Sequence, residues 1–358
     1  MGAGAGTGGA GTGGAGTGGA GTGGTAVAEE VAGAVSSHLG ARVRVDPAWR
    51  PAVQGAVGHV LGLRGAGGEP YVAKVYAPDA HRAAATEVRA LRLAAGALGA
   101  VVPAVVDAGD LPATGRPYVV LTRIAGRRWA DRFADLTPPE EAALLAEVAS
   151  VLGRLHTVRG PAFGSLVEGG RSWSSAPGYL AHLAETAVAG HRAVGGAADL
   201  ADGVRHLVEA SLGAVERVAP VLCHHDLNGG NVLVAADGPP RVTGVVDLER
   251  ASWDDPVRDL ALTALHVRQQ DPAKVDVLLA AYGPLDAGGR VRLRVHTALL
   301  AMAERTWVVT DRPAGWERSA AALVDVVRAC VGPPGARSAP STVAAAGGHW
   351  PEREGGGR

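Results

Sequence analysis

The chain has 358 residues, a formal net charge of −1 and a pI near 6.9. That balance gives no basic surface for nucleic acid or anionic lipid, and no run of about 18 or more apolar residues offers a membrane span. The only cysteines, Cys223 and Cys330, form no CxxC pair, so neither a zinc site nor a disulfide framework is expected and a cytoplasmic location is the default.

Residues 1–25 are a Gly-Thr-Gly-Gly-Ala repeat with too little apolar surface to offset its ordering entropy, so this stretch is expected to be disordered. It also lacks the basic start and apolar middle of a signal peptide. Val27, Val31, Val35 and Leu39 then recur at helical spacing over residues 26–39. Three apolar β-type segments follow, at about 50–54, 59–64 and 70–76, with Gly65-Ala66-Gly67-Gly68 as a hairpin turn between the last two. Residues 79–98 read as a helix, and 105–106 and 117–124 as two more strands. Residues 26–125 therefore make a first lobe, a small antiparallel sheet with a helix.

Thr137-Pro138-Pro139-Glu140 is a helix start, with Thr as N-cap, Pro at the first helical position and Glu three residues after the cap. That helix should run to about His156 and bury Leu144, Leu145, Val148, Val151, Leu152 and Leu155. Helices near 177–193 and 199–218 precede a polar loop with its hairpin, and Asp255-Pro256 opens a run of helices to about residue 330. Residues 126–331 form a second, mainly helical lobe. Residues 332–358, rich in Gly, Pro, Ser and Arg, are expected to be a disordered tail. The fold class is α+β with two lobes.

The loop carries the chemistry. In Cys223-His224-His225-Asp226-Leu227-Asn228-Gly229-Gly230-Asn231-Val232-Leu233-Val234 an Asp and an Asn stand five residues apart before an apolar strand, and a second strand, Val245-Val246-Asp247-Leu248-Glu249, ends in another Asp. Phosphoryl transfer from Mg·ATP needs such a set: a carboxylate to take the proton of the attacking hydroxyl, and an amide and second carboxylate to hold the metal on the phosphates. Lysine usage adds a signal. Of 34 basic residues only Lys74 and Lys274 are lysine. A lysine kept against such an arginine bias points to a need for a compact ammonium. Lys74 lies in the alternating strand pattern Pro70-Tyr71-Val72-Ala73-Lys74-Val75-Tyr76.

The pattern resembles the catalytic loop and metal-binding Asp of the protein-kinase-like fold, in the aminoglycoside phosphotransferase and choline kinase branch. The resemblance covers about residues 53–307. It implies Asp226 as catalytic base, Asn231 and Asp247 as Mg²⁺ ligands, and Lys74 as the phosphate-gripping lysine paired with Glu87. His224 would brace the loop backbone, and Asp255 and Asp259 would anchor the helical lobe. Thr122 and Ile124, in Leu121-Thr122-Arg123-Ile124-Ala125-Gly126, fall on the hinge whose backbone would bind the base of ATP or GTP. Gly55 and Gly58, in Gln54-Gly55-Ala56-Val57-Gly58-His59, fall on the phosphate-covering loop, which reads equally well as an ordinary hairpin turn. Two positions depart from the family: His225 stands where Gly is usual, and Gly229 where Pro is common. Only seven residues separate Asp247 from Asp255. That leaves no room for the activation segment of a peptide kinase.

The resemblance thus implies an ATP-dependent kinase of a small hydroxylated molecule, an aminoglycoside-like antibiotic or an amino or sugar metabolite. The alternative is a non-catalytic kinase-like nucleotide-binding protein. Glu304, Trp307 and Asp311 share a helix face. They read either as a site for an amine-bearing acceptor or as a salt-bridged exposed helix with one buried Trp. Residues 260–330 hold nine basic and seven acidic side chains, so the region is not acidic overall. The acceptor's identity and the oligomeric state stay open.

Overall fold

The computed structural model describes residues 23–51 and 58–332. The expected disordered ends, at 1–25 and 332–358, lie almost wholly outside that range, as do Gly55 and most of the strand expected at 50–54. Helix α1 (Gly23–Leu39) leads to the short strand β1 (Arg44–Val45), then β2 (Gly58–Arg64) and β3 (Pro70–Tyr76). Helix α2 (His81–Leu98) precedes β4 (Val105–Asp110) and β5 (Pro117–Thr122). These strands form one antiparallel sheet in the order β1-β2-β3-β5-β4. Its edge strands are β1 and β4, and the described residues Arg50 and Pro51 are in no strand.

Strand pleating decides what each face of this sheet does. On β3, Ala73 and Val75 are buried in a cluster with Val31 and Val35 of α1. Lys74 and Tyr76 point the other way, and Tyr76 packs with Ala84, Ala90 and Leu91 of α2. The alternation therefore sends Lys74 to the side where α2 lies. Leu39, expected on the same helix face, is the last residue of α1 and is instead 38% exposed.

A short strand β6 (Arg127–Arg128) and a 3-10 segment (Trp129–Asp135) lead into α3 (Pro138–Leu155). The Thr137–Glu140 capping box is present: the Thr137 N–H and hydroxyl both donate to Glu140 Oε2, at 2.8 and 2.6 Å. The six apolar residues expected on the inner stripe of α3 are all buried. Strands β7 (Phe163–Gly164) and β8 (Ser172–Trp173) precede α4 (Ala176–Ala193) and α5 (Ala198–Val215). Next come β9 (Val221–Cys223), β10 (Val232–Val234), β11 (Val242–Val245) and β12 (Ser252–Asp254). Helices α6 (Pro256–Gln270), α7 (Lys274–Tyr282), α8 (Ala287–Asp311) and α9 (Trp316–Val331) complete the described chain.

The architecture is α+β, a sheet lobe and a mainly helical lobe. One apolar cluster runs through both, taking in Leu91, Val119, Leu144, Leu152, Leu227, Val232 and Leu248. The loop between β9 and β10 hangs from this core by Leu227, which is 1% exposed. No helix among the described residues is long and apolar enough to cross a membrane.

Candidate active site

The hairpin of β10 and β11 brings the two halves of the motif together. Val232 pairs with Val245, and the Val246 N–H donates to the Asn231 carbonyl at 3.0 Å. Asn231 and Asp247 therefore leave adjacent strands side by side. Asp226 sits in the loop just before β10, half-buried and open to an incoming group. The Asn231 side chain donates to the Asp226 carbonyl at 2.9 Å and to Asp226 Oδ2 at 3.0 Å, and Asn228 donates to Oδ1 at 2.8 Å. Two amides thus fix the carboxylate's plane.

Buried polar groups hold the loop from beneath. Asp259, at 0% exposure, accepts the backbone N–H groups of His224 (2.7 Å) and His225 (2.9 Å), and lies 3.2 Å from His156 Nε2. Burial alone would raise its pKa; the contact with His156 and the nearby loop histidines hold it well below the usual carboxylate range. His224 accepts the Asp226 N–H on Nδ1 at 3.2 Å, which leaves Nε2 protonated to donate to the Val246 carbonyl at 3.2 Å. That imidazole therefore links the loop to the strand end carrying Asp247.

The two departures from the family pattern have local causes. His225 has φ +59°, the left-handed region where glycine is at ease and other residues are strained. Its side chain offsets the strain through Asp254 (3.1 Å) and Arg258 (3.2 Å). At Gly229 a β-carbon would stand 2.5 Å from Phe133 Cζ, and the Gly229 carbonyl accepts the Ala130 N–H at 2.7 Å. The 3-10 segment presses on the loop where a proline ring would have to sit.

Lys74 reaches across from the sheet lobe. Its ammonium is 2.8 Å from Glu87 Oε2, 2.7 Å from Asp247 Oδ1 and 3.1 Å from Glu249 Oε2. Burial disfavours the ammonium, but the three carboxylates raise its pKa well above the usual lysine value. Glu87 is fully buried and also accepts the Tyr76 hydroxyl. Asp247 adopts φ +70°, a strained conformation of the kind found at functional sites. Burial pushes Glu249 up to about 7, against the pull of Lys74. Glu249 was visible in the sequence beside Asp247, but its contact with Lys74 depends on folding and no local pattern signals it.

The other residues singled out in the sequence fall around this centre. The Thr122 N–H donates to the Ala104 carbonyl (2.9 Å), its hydroxyl accepts the Ala104 N–H (2.9 Å), and the Arg123 N–H donates to the Pro70 carbonyl (3.1 Å). Ile124 is left with no backbone partner among the described residues, and its side chain packs on Gly244. At Gly58 a β-carbon would lie 2.0 Å from the Val75 carbonyl oxygen, so close approach of β2 to β3 requires glycine there. On α8, Trp307 Nε1 donates to Asp311 at 2.9 Å, so that pair is satisfied within the helix. Glu304 lies instead in the field of Arg250 and Asp226, and burial raises its pKa. His266 of α6 is in the same field, with Nδ1 buried and unpartnered among the described residues.

The arrangement belongs to a class: a kinase-like α+β fold whose sheet lobe delivers a lysine–glutamate pair to a carboxylate-bearing hairpin of the helical lobe. A model of the phosphotransferase enzyme family (APH) matches residues 55–296, and the chain belongs to that family. Viomycin phosphotransferase of Streptomyces vinaceus is 31% identical over 116 residues, 31% of this chain and 39% of that protein. The chain thus matches well under half the length of this curated relative. Among solved structures, aminoglycoside phosphotransferase APH(4)-Ia in ternary complex with AMP-PNP and hygromycin B aligns with TM-score 0.57 and 20% identity, covering 84% of this chain and 98% of that one. A protein of Thermobifida fusca YX-ER1 named for fructosamine-3-kinase by assignment aligns with TM-score 0.59 and 21% identity, covering 84% and 98%. At these identities the likeness is one of fold.

Proposed function

We propose that this chain transfers the γ-phosphoryl group of ATP, or of GTP, to a hydroxyl of a small molecule. The observation that carries the reading is the meeting of Lys74 and Glu87 from one lobe with Asp226, Asn231, Asp247 and Glu249 from the other. The acceptor oxygen bonds to the γ-phosphorus as the bond to the β,γ-bridging oxygen breaks, and Asp226 takes the hydroxyl proton. Lys74, oriented by buried Glu87, grips the α- and β-phosphates. Its present contact with Asp247 would loosen as phosphate oxygens replace that carboxylate.

The residues at the hairpin fit a divalent cation. Asn231 uses its amide nitrogen on Asp226, while its side-chain Oδ1 has no protein partner among the described residues, and Asp247 Oδ1 meets Lys74 while Oδ2 has no partner among them. Two oxygen donors side by side suit Mg²⁺, which keeps the rest of its octahedron for water and phosphate. When bound, Mg²⁺ neutralises charge developing on the phosphates.

The acceptor class is a hydroxylated, amine-bearing molecule, in keeping with a relative named for viomycin and with neighbours that hold hygromycin B or carry the name fructosamine-3-kinase. Glu304 supplies the carboxylate on that side of Asp226. The test is Mg-dependent transfer from ATP to a panel of aminoglycosides, peptide antibiotics, amino alcohols and ketoamines. Binding of nucleotide with no acceptor phosphorylated would favour the non-catalytic alternative.

A further inference from the structure

A second charged cavity, of about 300 Å³, opens away from the catalytic hairpin where the end of α5 meets the starts of α6 and α8. Its lining includes Arg159, Arg217 and Arg292, with Asp286 as the one carboxylate. Arg159 and Arg217 are exposed at the mouth, and their guanidiniums have no ion pair or hydrogen bond among the described residues. Arg292 is more deeply set: Nη1 meets Asp255 at 2.6 Å, and Nε is buried without a partner. Asp286 is partly committed, since its Oδ1 caps α8 by accepting the Gly289 N–H at 2.5 Å.

The charge sum favours an anion. Asp255 matches Arg292 and Asp286 offsets one guanidinium, so one positive charge and about two unpaired guanidinium forks remain. Two helix starts face one helix end, so the macrodipoles leave only about half a positive charge, and the full charges of the arginines carry the selectivity. Planar forks bind tetrahedral oxyanions through paired N–H···O contacts, which makes phosphate the matching chemistry.

We infer that this pocket binds a phosphate group, as free phosphate or as a phosphomonoester on a small molecule, separately from the nucleotide site. Occupancy would reach the catalytic loop by two routes. The backbone at Arg159 bridges to Val221, on the strand that feeds the loop. Arg292 holds Asp255, which adjoins Asp254, the partner of His225.

The experiment titrates inorganic phosphate, and separately glycerol phosphate, into the full chain by calorimetry with the nucleotide site saturated by Mg·AMP-PNP. The expected result is saturable binding weakened at least about tenfold by the double change Arg159→Ala and Arg217→Ala, with AMP-PNP affinity unchanged. Both substitutions are at exposed positions, and an unchanged circular dichroism spectrum shows that the variant folds. Tighter binding of glycerol phosphate points to a phosphomonoester ligand, and equal binding to free phosphate; either outcome supports the site. Absence of saturable binding overturns it, as does equal binding by the double variant. Phosphate that binds only when AMP-PNP is left out also overturns it, because the anion then occupies the nucleotide site.

Discussion

Lys74 meets three carboxylates, yet only an ammonium of its size fits between them with 16% of its side chain exposed. Arginine keeps the charge but needs room for a planar fork. Lys74→Arg is therefore expected to lower kcat/KM for ATP by about a hundredfold or more, a loss like that of other positioned charge donors. Unchanged steady-state kinetics in that variant would refute the assignment. On the proposed reading, Asp226 would face the acceptor rather than the phosphates. Asp226→Asn should cut kcat by about 10²–10⁴-fold, the usual worth of a general base, and leave calorimetric nucleotide affinity close to wild type. Asp247→Asn should weaken Mg-dependent nucleotide binding as well. If the two variants bind nucleotide equally poorly, the division between base and metal ligand is wrong.

The catalytic loop, as an element, depends on the start of α6 beneath it. Asp254 and Asp259 are fully buried, and both carboxyls are held well below the ordinary range: burial opposes this, but Arg258 and His225 secure Asp254 while His156 and the loop histidines secure Asp259. A carboxylate with a depressed native pKa contributes stability above its unfolded value near about 4, and that stability is lost as pH falls through the native value. The urea midpoint should thus fall steeply below about 4, with a shallower fall in Asp259→Asn. A midpoint that ignores pH between about 5 and 2 would contradict it. Gly126, at φ +147°, joins the lobes where a β-carbon would lie 2.7 Å from the Val234 carbonyl and 2.5 Å from Thr243 Oγ1. Gly126→Ala should cost about 1–3 kcal/mol in urea unfolding, because the carbonyl belongs to a paired strand and cannot yield.

The elements with strong local signals were legible in the chain. The Thr137–Glu140 box, the stripe of α3, the hairpin at residue 65 and the strand of Lys74 are written in periodicity and capping chemistry that act over a few residues. The sequence pattern marks only residues 105–106 as strand, whereas β4 continues to Asp110 through Gly109, a residue that weakens a strand pattern although pairing with β5 sustains it. Gly58 had been read for a phosphate loop, yet the Val75 carbonyl beside it gives that glycine a packing reason. Other long-range contacts have no local signature in the sequence. Glu249 on Lys74, Glu304 in the field of Asp226 and the arginine pocket each join residues brought together only by folding.

At the scale of the whole molecule, two lobes share one apolar core and meet at a polar seam, where Lys74 of the sheet faces Asp247 and Glu249 of the hairpin. On the proposed reading, a nucleotide entering that seam would exchange carboxylate contacts for phosphate contacts, and the acceptor would approach Asp226 from the side of Glu304 and His266. The most direct test is mass spectrometry of a panel of amine-bearing hydroxylated acceptors incubated with the protein, ATP and Mg²⁺, beside the Asp226→Asn variant. The expected result is an acceptor that gains one phosphoryl group with the wild-type chain and none with the variant, although both bind nucleotide. If the variant phosphorylates the same acceptor at the wild-type rate, Asp226 is not the base and the assignment of the site fails.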